Sequence, residues 1–189
     1  MFLLLTALLA AQPAPSPMLS DSGRTISGVT LPGTIEAGAQ TLSLNGAALR
    51  KKSLFKVYVA ALYVAQTSEK AADILAADAP RRMEMHFVRG VDKKKICEAW
   101  DEGLANNTPD ASAALKEQFV ELCGYMADIK DGQAFTFTYI PGTGTAIEVA
   151  GQAKGTIAGK EFADAMLRTW IGPKPGPGEG FKKDLLGAK

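Results

Sequence analysis

Two runs of sequence decide the fold of this chain: LNGAALR at residues 44–50 and FKVYVAALYV at residues 55–64. From Val57 onward, both the odd-numbered and the even-numbered residues are apolar. Since these two sets point to opposite faces of a strand, the pattern predicts a strand covered on both faces in the middle of a sheet. In a simple antiparallel hairpin, the residue numbers of each pair of opposite residues add up to the same sum. A turn centred near Leu54 therefore places Arg50 opposite Tyr58, with both side chains on one face of the sheet.

A guanidinium beside a phenol on an apolar sheet suits an anionic, mostly apolar ligand, because the fixed charge and planar donors of arginine match a carboxylate. The alternative interpretation is purely structural. Arg50 is then a solvated hairpin arginine and Tyr58 is a tyrosine of the hydrophobic core. These two strands alone leave both interpretations open.

Length and composition indicate one domain and exclude several functions. The chain has 189 residues, of which 21 are basic and 20 are acidic, and no basic stripe alternates with aromatic residues. This balance argues against nucleic acid as a partner. A domain of this length buries about 70% of its unfolded surface, so it needs no metal to fold. The sequence has no metal-ligand spacing, and we expect no metal, no cofactor and a monomer.

The N-terminus resembles a secretion signal. Residues 2–10 form an apolar run, and small residues and prolines follow it. The run is too short to span a bilayer but matches the core of a signal peptide, although no Lys or Arg precedes it. The competing explanation is a misplaced start codon. We expect residues 1–20 to be a signal peptide and residues 21–189 to be one secreted or periplasmic domain, with no transmembrane segment in the mature chain.

Two cysteines, Cys97 and Cys123, lie on or beside the apolar stripes of two consecutive predicted helices. An oxidising compartment allows them to pair as a disulfide. Two buried free thiols fit the pattern equally well, because an unpaired cysteine is itself a core residue. Neither resembles a nucleophile, since the single histidine, His86, lies in the middle of a predicted strand.

The remaining patterns predict an α+β domain with mostly antiparallel strands. Clean alternation indicates a strand at 82–89, and turn residues delimit further strands at 27–31, 134–140, 145–150 and 154–157. Residues 34–50 supply one or two more strands, with breaks at Gly38 and Gly46 as the alternative. Helical spacing predicts helices at 69–77, 92–105, 160–170 and 181–186. One more helix carries Leu115 to Met126 and is expected to begin at Thr108-Pro109.

Three pieces of sequence in series resemble the chalcone isomerase-like family, and specifically its bacterial secreted branch. They are Arg50 with the strand at 56–63, the strand end at 85–89, and residues 162–172, after which a short helix ends at Gly187. The resemblance covers residues 25–187. It implies an open-faced β-sandwich, in which a large antiparallel sheet is covered by a layer of helices, with a ligand cleft between them.

The resemblance also implies roles for individual residues. The family holds plant enzymes that cyclise chalcones, plastid proteins that bind fatty acids, and bacterial members regarded as non-catalytic. By this similarity Arg50 and Tyr58 hold the carboxylate of a ligand, and Thr169 lines the cleft. The enzymes carry a threonine at the position of Tyr58. Further candidates for the cleft lining are Tyr63, Trp100 and Phe119.

The departures from the enzymes favour binding over catalysis. The enzymes carry a tyrosine and an asparagine on the helix after the strand that matches residues 85–89, whereas this chain has no tyrosine between Val64 and Tyr125. We therefore expect a non-catalytic protein that binds a fatty acid or a similar amphipathic carboxylate. One alternative is an intramolecular lyase of the chalcone isomerase type, in which Arg50 stabilises the substrate's phenolate. A second alternative is a periplasmic structural or adaptor protein with a closed cleft.

Overall fold

The computed structural model describes residues 23–188. Within this range the strands are β1 (Arg24–Ile26), β2 (Val29–Leu31), β3 (Thr34–Ala37), β4 (Gln40–Lys52), β5 (Phe55–Val64), β6 (Arg81–Phe87), β7 (Ala134–Ile140), β8 (Gly144–Val149) and β9 (Gln152–Ile157). The helices are α1 (Ala71–Ala76), α2 (Lys93–Asn107), α3 (Ala113–Tyr125), α4 (Lys160–Ile171) and α5 (Glu179–Leu185).

Strands β3 to β9 form one antiparallel sheet in which each strand pairs with its neighbour in sequence. Strands β1 and β2 form a separate small hairpin. The helices pack on one face of the large sheet, so the predicted α+β class and the open-faced β-sandwich are confirmed.

Strand β5 is buried on both faces, as its continuous apolar sequence predicts. Its residues Tyr58, Ala60 and Leu62 belong to the main core between the sheet and the helices. The intervening residues belong to a second core, which the β1–β2 hairpin covers on the opposite face. The helical stripes expected from the sequence supply the other side of the main core: Ile96, Trp100, Leu104, Leu115, Phe119, Leu122 and Met126.

Two irregularities interrupt the pairing of β4 with β5. Lys52 pairs with Phe55 and Lys51 with Lys56, but the register then shifts at Val57, so that Arg50 pairs with Tyr58. A second shift leaves Asn45 as an extra residue on β4. The predicted pair of Arg50 and Tyr58 is present. It arises from a tight turn combined with a β-bulge rather than from a regular hairpin.

The structure decides between the two interpretations of the cysteines. Cys97 on α2 and Cys123 on α3 form a disulfide, with their Cα atoms 5.4 Å apart. The bond joins the two consecutive helices whose apolar stripes face the sheet. Because it closes a loop of 26 residues, it limits the freedom of the unfolded chain as well as holding the helices together.

The start of α3 differs from the prediction. Thr108 caps the C-terminus of α2, and its N–H donates to the carbonyl of Leu104 at 2.8 Å. Ser112 is the N-cap of α3, where its hydroxyl accepts a hydrogen bond from the N–H of Leu115 at 3.1 Å. Thr108-Pro109 was a misleading signal, because a second capping residue follows it within the same loop.

The predicted signal peptide at residues 1–20 lies outside the described residues. Across residues 23–188, no helix combines the length and the apolar character needed to cross a membrane.

Helix α5 packs against β4 through an unusually close approach of two backbones. A Cβ atom at Gly46 would stand 2.6 Å from the carbonyl carbon of Leu185 and closer still to the oxygens of Asp184 and Leu185. The bulged residue Asn45 lies beside this contact. Its side chain donates to the oxygen of Leu185 at 3.0 Å and accepts from the N–H of Ser68 at 2.8 Å. Gly46 and Asn45 together dock the C-terminus on the sheet.

We expect the substitution Gly46→Ala to push α5 away from β4 and to lower the free energy of unfolding by about 1–3 kcal/mol, as overpacking does elsewhere. Urea denaturation followed by circular dichroism measures the change. Gly124→Ala is the matched control, because a Cβ at this exposed helical position meets nothing within 4 Å. It should be neutral or raise stability by up to about 1 kcal/mol. Equal stability of Gly46→Ala and the wild type would contradict the close packing.

Candidate functional site

Arg50 and Tyr58 lie side by side on the face of the sheet that the helices cover. Both belong to the paired strands β4 and β5, and the bulge at Val57 sets them directly opposite each other. Tyr58 is 9% exposed, whereas Arg50 is half-buried. The guanidinium of Arg50 donates through one N–H to the carbonyl of Pro177 at 2.9 Å. An arginine has five N–H donors, so most of its capacity remains for another acceptor.

The phenol of Tyr58 is held by aromatic neighbours from three elements. The ring centroid of Phe87 on β6 is 5.6 Å from that of Tyr58, and the centroid of Phe181 on α5 is 5.9 Å away. Trp170 on α4 donates its Nε1–H to the phenol oxygen at 3.2 Å. Because the oxygen accepts this bond, the hydrogen of the phenol points elsewhere, and it has no acceptor among residues 23–188.

Burial controls the ionisation of this phenol. Desolvation raises the pKa of Tyr58 to about 12, against the opposing effects of the Trp170 hydrogen bond and the positive charge of Arg50. At neutral pH the side chain is therefore an uncharged hydrogen-bond donor. Arg50 and Tyr58 form a pair of donors, one charged and one neutral, that share one face of the sheet.

A segment that we call the C-terminal strap, residues 172–187, covers this pair. Its carbonyl at Pro177 occupies one donor of Arg50, and its Phe181 packs on the Tyr58 ring. Asn107 at the end of α2 fastens the strap through two hydrogen bonds to the backbone of Lys174, at 2.8 and 2.9 Å. The site is closed in this structure by backbone and side chains of the strap.

The strap also borders open space. A surface groove of about 510 Å³ lies between α1, the end of α4 and the strap, and its lining includes Gly172, Pro173 and Lys182. Neither Arg50 nor Tyr58 lines this groove. The strap is therefore packed against the sheet on one side and against an open groove on another.

Trp100 and Phe119 lie in the predicted layer but at different distances from the arginine. Trp100 packs edge-on against Trp170, with ring centroids 5.2 Å apart. Since Trp170 in turn binds the phenol oxygen of Tyr58, Trp100 reaches the phenol through Trp170. Phe119 packs instead against Phe162 on α4, at 5.6 Å. The structure brings Trp100 near the site and places Phe119 between α3 and α4.

The structure places Tyr63 away from the pair, which corrects the sequence interpretation, and shows the contacts of Thr169. Tyr63 belongs to the core on the opposite face of the sheet, together with Val59 and Ala61 of the same strand, and its hydroxyl donates to the carbonyl of Pro32 at 3.1 Å. Thr169 donates to the carbonyl of Met166 at 2.8 Å, within its own helix. Its methyl group faces α2, where a Cβ at Gly103 would stand 2.7 Å away. Tyr63 therefore lies across the sheet from Arg50. The methyl group of Thr169 points toward α2.

His86 is also remote from the pair. It lies on the outer face of β6, paired with Val59 of the second core, and its Nε2 is 2.9 Å from Oε2 of Glu84. The single histidine of the chain thus has no path to Tyr58, because the sheet lies between them.

Sequence reasoning missed the residues that surround the phenol. Trp170 lay in a recognised motif without an assigned role, and its helical spacing from Met166 was the only signal that it faces the sheet. The contact between Arg50 and Pro177 could not be predicted from the sequence. Every residue has a backbone carbonyl, so nothing in the sequence marks the one, 127 residues away, that binds Arg50.

Comparisons with known proteins agree with this architecture. The family model described as chalcone isomerase-like matches residues 23–187. Among solved structures, the chain is similar to a fatty-acid binding protein of Arabidopsis thaliana, with a TM-score of 0.68 and 18% sequence identity. The alignment covers 87% of this chain and 95% of the Arabidopsis chain. A comparison with the curated proteins found no match.

The buried phenol predicts a specific pH dependence. Because the pKa of Tyr58 rises from 10.0 to about 12 on folding, its contribution to stability is complete below pH 10 and is lost as the pH rises toward 12. We expect the free energy of unfolding of the wild type to fall by about 1.4 kcal/mol between pH 7 and pH 11 because of this phenol. In Tyr58→Phe, which lacks the phenol, this part of the loss should be absent. Urea denaturation of both proteins between pH 7 and 11 measures the difference. Parallel curves for the two proteins would contradict it, and Trp170→Phe, which keeps the phenol, should retain the loss.

Proposed function

The chain belongs to the chalcone isomerase-like family, and from that premise we propose that it is a non-catalytic protein that binds a fatty acid or a similar amphipathic carboxylate. The observation that carries the proposal is the pair of unused donors at Arg50 and Tyr58. A carboxylate accepts several hydrogen bonds at once, and its bonds to a guanidinium are about twice as strong as those between neutral groups. The phenol hydrogen of Tyr58 supplies a second donor on the same face.

The surroundings of the pair suit an alkyl chain. Phe87, Phe181 and Trp170 form an aromatic wall beside the phenol, and Trp100 extends it into the layer between sheet and helices. Each methylene buried against such a wall stabilises a complex by about 0.8 kcal/mol. The apolar layer thus provides affinity, and Arg50 selects an anionic head group.

A ligand reaches the pair only if the strap moves. We infer that the ligand promotes this movement by competing with the strap for Arg50. In the closed structure the acceptor for Arg50 is the neutral carbonyl of Pro177. A carboxylate is the stronger acceptor for a guanidinium, so it displaces this carbonyl and releases residues 175–178, which follow the anchor at Lys174, from Arg50. The open groove meets the strap at Pro173 and at Lys182, on either side of that segment.

The same geometry supports a binding role over catalysis. General acid–base catalysis works best with a group whose pKa is near the operating pH. Burial instead raises the pKa of Tyr58 to about 12. The hydroxyl of Thr169 is committed to its own helix, and His86 lies across the sheet. What remains beside Arg50 is a set of donors that hold an anion.

We also propose that the protein is secreted or periplasmic. The apolar run at residues 2–10 and the disulfide between Cys97 and Cys123 support this location. Disulfides persist in oxidising compartments, whereas the cytosol keeps thiols reduced.

Titration calorimetry of delipidated protein with dodecanoate tests the site. We expect Arg50→Ala to weaken dodecanoate binding by about 10- to 100-fold, because it removes a charged hydrogen-bond partner. Dodecanol is the matched ligand without charge. Its affinity should not fall in Arg50→Ala, since the apolar layer is unchanged.

Arg24→Ala is the control variant, because Arg24 is an exposed arginine on β1. It should bind dodecanoate like the wild type. Equal dodecanoate affinity of the wild type and Arg50→Ala would overturn the assigned site. Failure of the wild type to bind dodecanoate at all would overturn the ligand class.

A further inference from the structure

The turn between β4 and β5 exposes two large apolar side chains at its tip. Leu54 is 96% exposed and Phe55 is 60% exposed. Among residues 23–188, the other exposed large hydrophobic residue is Val120 on α3, at 71%. Turns ordinarily carry polar residues, and Ser53 already has the positive φ of +54° that this two-residue turn needs. Neither Leu54 nor Phe55 is required by the backbone geometry.

Positive charge surrounds these two side chains. Lys51, Lys52 and Lys56 are exposed on either side of the turn, and the guanidinium of Arg89 lies 4.6 Å from the centre of the Phe55 ring. In the part of the chain that the structure describes, none of the four forms an ion pair. The whole chain carries a net charge of +1, so this concentration of charge is local.

We propose that this hairpin tip, residues 51–56 with Arg89, docks the protein on an anionic lipid bilayer. Leu54 and Phe55 enter the interfacial region of the bilayer, while the lysines and Arg89 remain at the level of the lipid head groups. Charge complementarity favours an anionic surface. A protein partner is disfavoured by shape, because a stable interface buries roughly 800 Å² on each side. Two side chains on a narrow turn offer far less.

Docking through the tip would bring the Arg50 and Tyr58 pair close to the membrane surface. Arg50 lies four residues before Leu54 on the same hairpin, and a strand rises about 3.3 Å per residue. A tip seated at the head groups therefore holds the Arg50 and Tyr58 pair within about 15 Å of the membrane surface. Docking does not depend on ligand binding, and each can be measured without the other.

Flotation of the full chain with lipid vesicles tests the tip. We expect binding to vesicles of phosphatidylcholine with phosphatidylglycerol and much weaker binding to phosphatidylcholine alone. Each lysine near an anionic surface strengthens binding about fivefold, so the triple variant Lys51→Gln/Lys52→Gln/Lys56→Gln should lose roughly a hundredfold. The matched control is Lys70→Gln/Lys116→Gln/Lys154→Gln, which removes the same charge from exposed positions on other elements. It should lose far less.

The apolar part of the tip is tested by Leu54→Ser/Phe55→Ser, which should weaken binding at least tenfold, with Val120→Ser as a control that binds normally. Every variant carries the same N-terminus, so differences between variants report the tip. In a second measurement, tryptophan fluorescence of Leu54→Trp should shift to the blue with phosphatidylglycerol vesicles, whereas that of Val120→Trp should not.

Normal vesicle binding by both tip variants, or equal binding to the two kinds of vesicle, would overturn the proposal. Absence of wild-type binding would also overturn it and would point to a protein partner. The tip variants should keep normal affinity for dodecanoate, so a failure of docking is distinguishable from a failure of the proposed ligand site.

Discussion

Two β-bulges in the pairing of β4 with β5 are the constraint on which the rest of the structure depends. The bulge at Val57 brings Arg50 opposite Tyr58, and the bulge at Asn45 turns an amide side chain toward the C-terminus of α5. Each bulge shifts the register by one residue, and such a shift re-aims side chains that a regular ladder would place elsewhere. The first bulge assembles a pair of donors. The second docks the segment that covers them.

The strap is held at both ends by more contacts than it makes over the site. Asn107 binds the backbone of Lys174 through both ends of its amide, and Gly46 allows α5 to lie directly on β4. Over the site, by contrast, a single hydrogen bond joins Arg50 to the carbonyl of Pro177, and the guanidinium has further donors with which to bind another acceptor. The strap is thus anchored near its start and its end and can be displaced between them. This arrangement is what a closed binding site requires if its ligand is to enter.

One hairpin carries both features that we propose to be functional. The donor pair lies inside it, beneath the strap, and the exposed Leu54 and Phe55 lie at its tip. The bulge at Val57 lies between them, so it separates a buried, aromatic environment from a solvated and basic one. A protein that collects amphipathic anions from a lipid surface would need these two environments close together on one rigid element.

The sequence by itself determined the fold class and the central strand. It also predicted the Arg50–Tyr58 pair, but from a regular hairpin, whereas a tight turn and a β-bulge produce that pair in the structure. The odd-numbered and even-numbered residues of β5 are both apolar, and they can be buried on both faces only in the middle of a sheet. Apolar residues at helical spacing predict which face of each helix is buried. Tertiary structure alone decided the disulfide, the placement of Tyr63 on the outer face, and the turn of Thr169 toward Gly103. It also decided that Trp170, Phe181 and Pro177 close the site. The three contacts that close the site join positions more than a hundred residues apart. A backbone carbonyl or a single-residue bulge leaves no periodic pattern in the sequence from which it could be predicted.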